Sequence, residues 1–291
     1  MLDSQGNYNR RDAVPVVNNT ASRIDKNEMA EVATFQFDLD EQFPHLPSAP
    51  IVEAVIQWRA RAEKPWEADT LRQQLSQRLP DYLELKPQHE MQLELQFAGH
   101  VAAPQQQRVR WLGFRLVSAD GRYIAQFNRD GLVFSRLEPY NEWETFSSEG
   151  LRIWRAFLDL AGPVEVQRLG VRFVNRIALP KLAQLGRYLS RPPKCLEPLG
   201  LPMTRFLYQS IHDVPGHPFQ INVTQTNQPL RPQQTEGFGL ILDIDVITTQ
   251  SFDCDEEILK QHLAKMRWLK DKAFFSMLKP KVIESFKKDR K

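Results

Sequence analysis

The stretch QRLGVRFVNRIAL, from Gln167 to Leu179, decides the fold because its side chains alternate in character. Successive side chains of a β-strand point to opposite faces of a sheet. The apolar face of this strand would carry Leu169, Val171, Phe173, Ile177 and Leu179. The other face would carry Arg168, Arg172 and Arg176. The pattern predicts a half-buried strand, and the three guanidinium groups on its polar face require either counter-charges or a ligand.

The elements around this strand are predicted to occur twice in the same order, namely strand, helix, antiparallel strands and long helix. In the first round, elements start at Ile51, Pro65, His89, Arg108, Arg122 and Asn141, the last being a helix that closes at Gly162. In the second round, the quoted strand is followed by elements that start at Lys181, Thr204, Phe219, Gly237 and Asp255. The order predicts an internal duplication, with repeats over residues 43–162 and 163–291.

The duplication predicts an α+β fold, because an antiparallel sheet followed by a long helix buries one sheet face under that helix. The architecture resembles two known folds of this kind, the TATA-binding-protein-like saddle and the helix-grip fold. The leading strands of the repeats can be aligned, with VEAVIQWRA from Val52 over VRFVNRIAL from Val171. In a saddle, each leading strand pairs with the other leading strand and with the last strand of its own repeat.

The ends of the chain and of the helices carry further signals. Residues 1–42 are predicted to be a mostly disordered extension, since they offer little apolar surface, with an edge strand over residues 32–39. A capping box of Asn141 with Glu144 is predicted to open the first long helix, and Asp253 with Glu256 the second.

The arginines on the polar face of the quoted strand are predicted to form a charge ladder, that is, a series of ion pairs with carboxylates of the neighbouring strands. In the saddle arrangement this face lies beside LILDIDVIT, whose polar side carries Asp243 and Asp245. We expect Arg172 and Arg176 to pair with these carboxylates, at about 0.2–1 kcal/mol per cross-strand pair. Glu53 would reach the ladder from the other repeat. The candidate binding residues are therefore Arg168, Arg172, Arg176, Asp243, Asp245 and Glu53.

Composition and motifs argue against several functional classes. Lys and Arg number 38 against 36 for Asp and Glu, so the net charge of +2 provides no general attraction to nucleic acid or anionic lipid. The two cysteines, Cys195 and Cys254, fit neither a disulfide framework nor a metal motif. The sequence lacks a secretion signal and an apolar run of roughly 20 residues, so we expect a cytoplasmic chain that does not insert into membranes.

Catalytic, cofactor and metal signatures are not found in the sequence. Asp243, Asp245 and Glu53 could suggest a site for a hard metal ion, but the neighbouring arginines already supply positive charge. We therefore predict no catalytic residues, no cofactor and no metal.

Three landmarks carry a resemblance to a known family: FPHLPSAPIVEAVIQWR, QRLGVRFVNRIALP, and LILDIDVIT followed by the helix with LAKMRWLKDKAFFSML. Together they resemble a sporadically distributed family of uncharacterised bacterial and archaeal proteins. The resemblance implies no activity, cofactor or catalytic residue. The family's patchy distribution is typical of horizontally mobile genes, which include phage-defence and toxin–antitoxin modules.

These patterns lead to one functional prediction and two alternatives. The prediction is a non-catalytic binding or sensor protein that acts through a protein partner, in a setting such as phage defence or a toxin–antitoxin-like module. In the first alternative, the sheet face binds nucleic acid. In the second, an apolar cavity under each long helix binds a small ligand, as in helix-grip proteins. Homo-oligomerisation is compatible with all three.

Overall fold

The computed structural model describes residues 34–94, 97–98, 101–102, 106–194, 200–229 and 237–288. The strands are β1 (Ile51–Arg59), β2 (Glu84–Glu94), β3 (Phe97–Ala98), β4 (Val101–Ala102), β5 (Gln106–Val117), β6 (Tyr123–Asn128), β7 (Gly131–Leu137), β8 (Glu165–Val166), β9 (Arg168–Leu179), β10 (Leu207–Asp213), β11 (Phe219–Pro229), β12 (Phe238–Thr248) and β13 (Phe252–Asp253). The helices are α1 (Ala68–Arg78), α2 (Trp143–Ala161), α3 (Leu185–Tyr188), α4 (Glu256–Met277) and α5 (Pro280–Phe286), and a 3₁₀ turn over Leu182–Gln184 precedes α3.

Nine of the strands form one antiparallel sheet in the order β10-β11-β12-β9-β1-β7-β6-β5-β2. The central strands β1 and β9 pair with each other, which places Val55 opposite Arg172. β7 flanks β1 on its other side, and β12 flanks β9. The α+β class is therefore confirmed, and the central strands have the neighbours predicted for a saddle. The assignment to either named fold, and the duplication itself, stay predictions.

The helices pack on one face of the sheet and bury its apolar side chains. Trp58 of β1 stacks on Trp154 of α2 with ring centroids 5.4 Å apart. From α4, Leu263 and Met266 are buried in the same core cluster as Phe173 of β9. Because these residues point away from the arginines of β9, the alternation predicted for this strand is confirmed.

The predicted helix caps are wrong in both long helices. α2 has Glu142 as its N-cap residue, and no side chain caps it. The N-cap of α4 lies two residues after the predicted one, because Asp253 belongs to β13, which pairs with β8. Asp255 caps α4 instead, and its carboxylate accepts hydrogen bonds from the backbone N–H groups of Glu257 and Ile258, each at 2.9 Å.

The segment before β1 packs on the helix layer of the fold. The ring of Phe35 lies 5.8 Å from that of Trp268 in α4, and the ring of Phe37 lies 5.5 Å from it, both in edge-on geometry. Of the edge strand predicted over residues 32–39, residues 34–39 are not in a strand, and residues 32 and 33 lie outside the described residues. The rest of the predicted disordered extension, up to residue 31, also lies outside them.

Candidate functional site

One face of the nine-stranded sheet is free of helices within the described part of the chain. We call it the open face, and its centre is formed by Glu53, Val55, Gln57 and Arg59 of β1, Arg168, Arg172, Val174 and Arg176 of β9, and Ile241, Asp243, Asp245 and Ile247 of β12. The alternation of buried and exposed residues along these strands places their apolar partners in the core. All six residues predicted as a binding site therefore lie on the open face.

Arg172 and Asp243 form the predicted ion pair. The Nε of Arg172 lies 2.9 Å from Oδ1 of Asp243 and its Nη2 lies 2.6 Å from Oδ2, so both carboxylate oxygens are engaged. The pair is diagonal, because the residue directly opposite Arg172 is Asp245. The Arg172 side chain is 51% exposed, and a pair of this kind contributes at most about 1 kcal/mol.

The other two arginines do not extend the ladder. Nη2 of Arg168 donates to Oε1 of Gln57 at 2.8 Å, and its buried Nε has no hydrogen-bond partner among the described residues. Arg176 lies opposite Ile241 and is exposed. Its predicted pairing with a carboxylate is wrong for the described residues, because the strand register brings Asp243 to Arg172 instead.

The carboxylates around Arg172 differ in their environments. The hydrogen bonds that Arg172 donates to Asp243 raise the pKa of Arg172, against the effect of burial, and the nearby charges of Asp243, Asp245 and Glu53 raise it further. Burial raises the pKa of Asp245, and the fields of Arg172 and Arg168 oppose this rise only in part. Ionising Asp245 therefore costs more free energy in the folded protein than in the unfolded chain.

Acidic and basic side chains are nearly balanced over the described open face. Following the strand register outward from the centre, as far as the irregularity between Gln88 and His89, its basic residues are Arg59, Lys86, Arg115, Arg168, Arg172 and Arg176. Its acidic residues are Glu53, Glu84, Asp213, Asp243 and Asp245. Partly exposed Val55, Val133, Val174 and Ile247 lie between them. The face thus mixes both signs of charge with apolar area.

A cavity of about 240 Å³ lies on the opposite, helix-covered side of the sheet. It is bounded by Phe43, Tyr140, Trp143, Phe173, Asn175, Arg267, Lys270 and Asp271, among others. Lys270 is buried, its Nζ bonds to Asp271, and it lies 4.0 Å from the ring centroid of Phe173. The hydroxyl oxygen of Tyr140 is buried without a hydrogen-bond partner among the described residues. The cavity therefore presents polar donors within an aromatic lining.

The sequence interpretation missed this cavity, although it contained one signal. Met266, Lys270 and Phe274 follow each other at intervals of four residues on α4, and all three are buried. A lysine in an apolar helical stripe is rarely buried without a specific partner. Nothing in the sequence placed Tyr140 or Asn175 beside it.

A second cavity, of about 860 Å³, lies under β10 and β11 near the end of α4. Phe206, Tyr208, Val223, Gln225 and Met277 line it together with residues 190–194. The small-ligand alternative predicts apolar cavities, whereas the linings of these two mix polar and apolar groups.

Two further findings concern the described residues alone. They include no group of three or more His, Cys, Asp or Glu side chains that could hold a metal ion. None of their helices has the length and apolar character needed to span a lipid bilayer.

Comparison with known proteins finds no matching family model, no similar curated protein and no similar solved structure. The family resemblance of the three sequence landmarks therefore stays a prediction, and functional argument rests on the open face and the cavities.

Proposed function

We propose that this chain is a non-catalytic binding protein that recruits a protein partner through the open face of its sheet. The observation that carries the proposal is the composition of that face, where both signs of charge alternate with partly exposed valine and isoleucine side chains. Protein interfaces combine apolar area with arginine and a polar surround in this way.

The same composition disfavours the nucleic-acid alternative. A surface that binds a polyanion needs an excess of cations, because affinity comes from phosphate neutralisation. On the open face the guanidinium of Arg172 already donates hydrogen bonds to Asp243, and the carboxylate of Asp245 is close enough to interact with it electrostatically. A phosphate backbone would have to approach these carboxylates.

Arg176 provides the test of the proposal, since it is exposed and makes no ion pair with a described residue. The tagged chain, purified from native cells with RNase and DNase present, should retain a protein partner. Arg176→Glu should weaken retention at least tenfold. Arg187→Glu, an exposed position on α3 in the helix layer, serves as the matched control and should retain the partner. Loss of binding on nuclease treatment, or equal binding by both variants, would overturn the proposal.

The biological setting belongs to the same proposal and has its own test. The distribution of the resembling family supports a role in phage defence or a toxin–antitoxin-like module. Phages should plate less efficiently on cells that express the chain with its neighbouring genes than on cells without them. Arg176→Glu should abolish this difference. Unchanged plating for a broad phage panel, together with unchanged host growth when the neighbouring genes are expressed alone, would contradict this role.

Binding of a small ligand is a second candidate function, favoured by the buried Tyr140 hydroxyl and Lys270 ammonium in the 240 Å³ cavity. Both groups are able to donate a hydrogen bond to a ligand, and Phe43 and Trp143 supply aromatic surface. The matching ligand is a small molecule with an acceptor group, such as a carboxylate, on an apolar or aromatic body.

Thermal melting with benzoate and phenylacetate as probes tests this second function. A probe that binds in the cavity should raise the melting temperature of the wild-type protein in a concentration-dependent way. Tyr140→Phe removes one donor while keeping the ring and should reduce the shift. An equal shift in the variant, or no shift for either probe at millimolar concentration, would rule out this use of the cavity.

A further inference from the structure

The two ends of the nine-stranded sheet are built differently. At one end, β2 carries Pro87, the charged pair Glu84 and Lys86, and a register irregularity between Gln88 and His89. Prolines, charges and bulges are the usual means of blocking an exposed edge. At the other end, β10 has the sequence LYQSIHD, with its charge confined to Asp213 and the neighbouring His212. Leu207 and Ile211 of this strand are 72% and 60% exposed.

The backbone of β10 directs alternate residues toward β11. The N–H of Phe206 donates to Oδ1 of Asn227, and the N–H of Val214 donates to the carbonyl of Phe219. The even-numbered residues of β10 thus direct their backbone N–H and C=O groups toward β11. In an antiparallel strand the alternate residues direct their N–H and C=O groups to the other side. Leu207, Gln209 and Ile211 therefore point backbone groups away from the sheet, and these groups have no backbone partner among the described residues.

The side chains on these odd-numbered positions form a self-complementary series. The residues in order are Arg205, Leu207, Gln209, Ile211 and Asp213, which read as cation, apolar, polar, apolar, anion. The strand register places Leu207, Gln209, Ile211 and Asp213 on the open face. If a second copy pairs antiparallel with its twofold axis at Gln209, Leu207 meets Ile211 of the second copy, and Arg205, two residues before β10 begins, comes opposite its Asp213.

The geometry points to a homodimer, and we propose that two copies join their β10 edges in this register to form one continuous antiparallel sheet. Pairing about Gln209 uses the outward N–H and C=O groups of both copies. A shift by one step in either direction would place Leu207 opposite Asp213 or opposite Gln209, and both the apolar and the ionic match would be lost. A twofold axis requires such a self-complementary patch.

The dimer is independent of the partner proposed above, because it uses the edge of the sheet and leaves the centre of the open face uncovered. Its consequence is a face twice as wide, with two copies of the site around Arg172. A partner with two matching sites would bind with avidity.

Charge reversal tests the dimer without touching the core. Sedimentation velocity over a concentration series should show a monomer–dimer equilibrium for the wild-type protein. Asp213→Arg places two cations opposite each other, and Arg205→Asp places two anions. Each single variant should raise the dimer dissociation constant at least tenfold. The double variant Arg205→Asp/Asp213→Arg should restore the wild-type value, with unchanged circular dichroism in all three.

The register is tested by cross-linking near the twofold axis. In a Cys195→Ser/Cys254→Ser background, Gln209→Cys should give a covalent dimer with a short bis-maleimide reagent. Arg187→Cys on α3 is the control and should stay monomeric under the same conditions. A wild-type protein that is monomeric throughout the concentration series would overturn the proposal. So would a dimer that all charge variants leave unchanged, or equal cross-linking at both positions.

Discussion

Arg172 shows at the scale of one residue how the arginine face is neutralised. Its fork-like pairing with Asp243 is partly exposed, so we expect a coupling energy of about 0.5–1 kcal/mol from a double-mutant cycle of Arg172→Ala and Asp243→Ala. Urea unfolding of the wild-type protein, the two single variants and the double variant measures this coupling energy. Arg176→Ala, at a position without an ion pair to a described residue, should change the free energy of unfolding by less than about 0.5 kcal/mol. If Arg172→Ala melts like the wild-type protein and loses its partner, the pair serves binding and not the fold.

Asp245 gives a prediction about pH. Burial raises the pKa of its carboxyl, so the folded state holds the proton more tightly than the unfolded state does. The cost of ionising it is absent below the ordinary Asp pKa of about 4, grows as the pH rises from there, and is fully present above the folded-state pKa. Asp245→Asn removes this cost. The stability of the variant relative to the wild-type protein should therefore increase as the pH is raised above about 4 in urea unfolding. A relative stability that falls as the pH is raised would contradict the prediction.

Gly131 is needed at the start of β7, where its φ angle is 143°. A Cβ atom there would lie 2.0 Å from the carbonyl oxygen of Trp58 in the neighbouring strand β1. Gly131→Ala should therefore destabilise the fold by about 3 kcal/mol or more. Gly121→Ala is the matched control, because φ there is 70° and, apart from its chain neighbours, no described residue has an atom within 4 Å of the added methyl group. It should cost only about 1–2 kcal/mol in the same thermal or urea unfolding experiment.

At the scale of one element, substitutions at the start of α4 distinguish the observed N-cap, Asp255, from the predicted one, Asp253. Asp255 accepts two backbone hydrogen bonds from the first turn, so Asp255→Ala should cost about 1 kcal/mol in the free energy of unfolding. Asp253 makes no such bond, and Asp253→Ala should change stability by less than about 0.5 kcal/mol. The reverse order of the two effects would restore the sequence-based assignment.

The strands and their buried faces could be predicted from sequence where the alternation of apolar and polar residues within one strand determines them. The alternation of β1, β9 and β12 follows from burial of one sheet face, and it placed all six candidate residues on the open face. Helix caps could not be predicted in this way, because the β8 and β13 pairing, between distant segments, decides where α4 begins. The same holds for Arg176, whose neighbour depends on the register between two strands. The cavity around Lys270 could not be predicted either, because its lining combines segments that are distant in sequence, among them those with Phe43, Tyr140 and Lys270.

At the scale of the whole molecule, the two faces of the sheet differ: one is buried in the core and the other is accessible. The helices and the segment from residue 34 bury one face, where Trp58, Trp154 and Phe173 anchor the core. The opposite face keeps charged and apolar side chains accessible within the described residues. The ends of the sheet differ as well, since β2 is blocked by proline and charge while β10 is not. This division is the reason for assigning recognition to the open face.

Site-specific photo-cross-linking from the open face tests this assignment most directly. Val174 lies at its centre, next to Arg172 and Arg176, and Val164 is an exposed position outside the face. With p-benzoylphenylalanine at Val174, irradiated native cells should yield one nuclease-resistant adduct with a protein. The same probe at Val164 should not yield that adduct. Adducts with nucleic acid, or the same products from both positions, would contradict the proposal that the open face binds a protein partner.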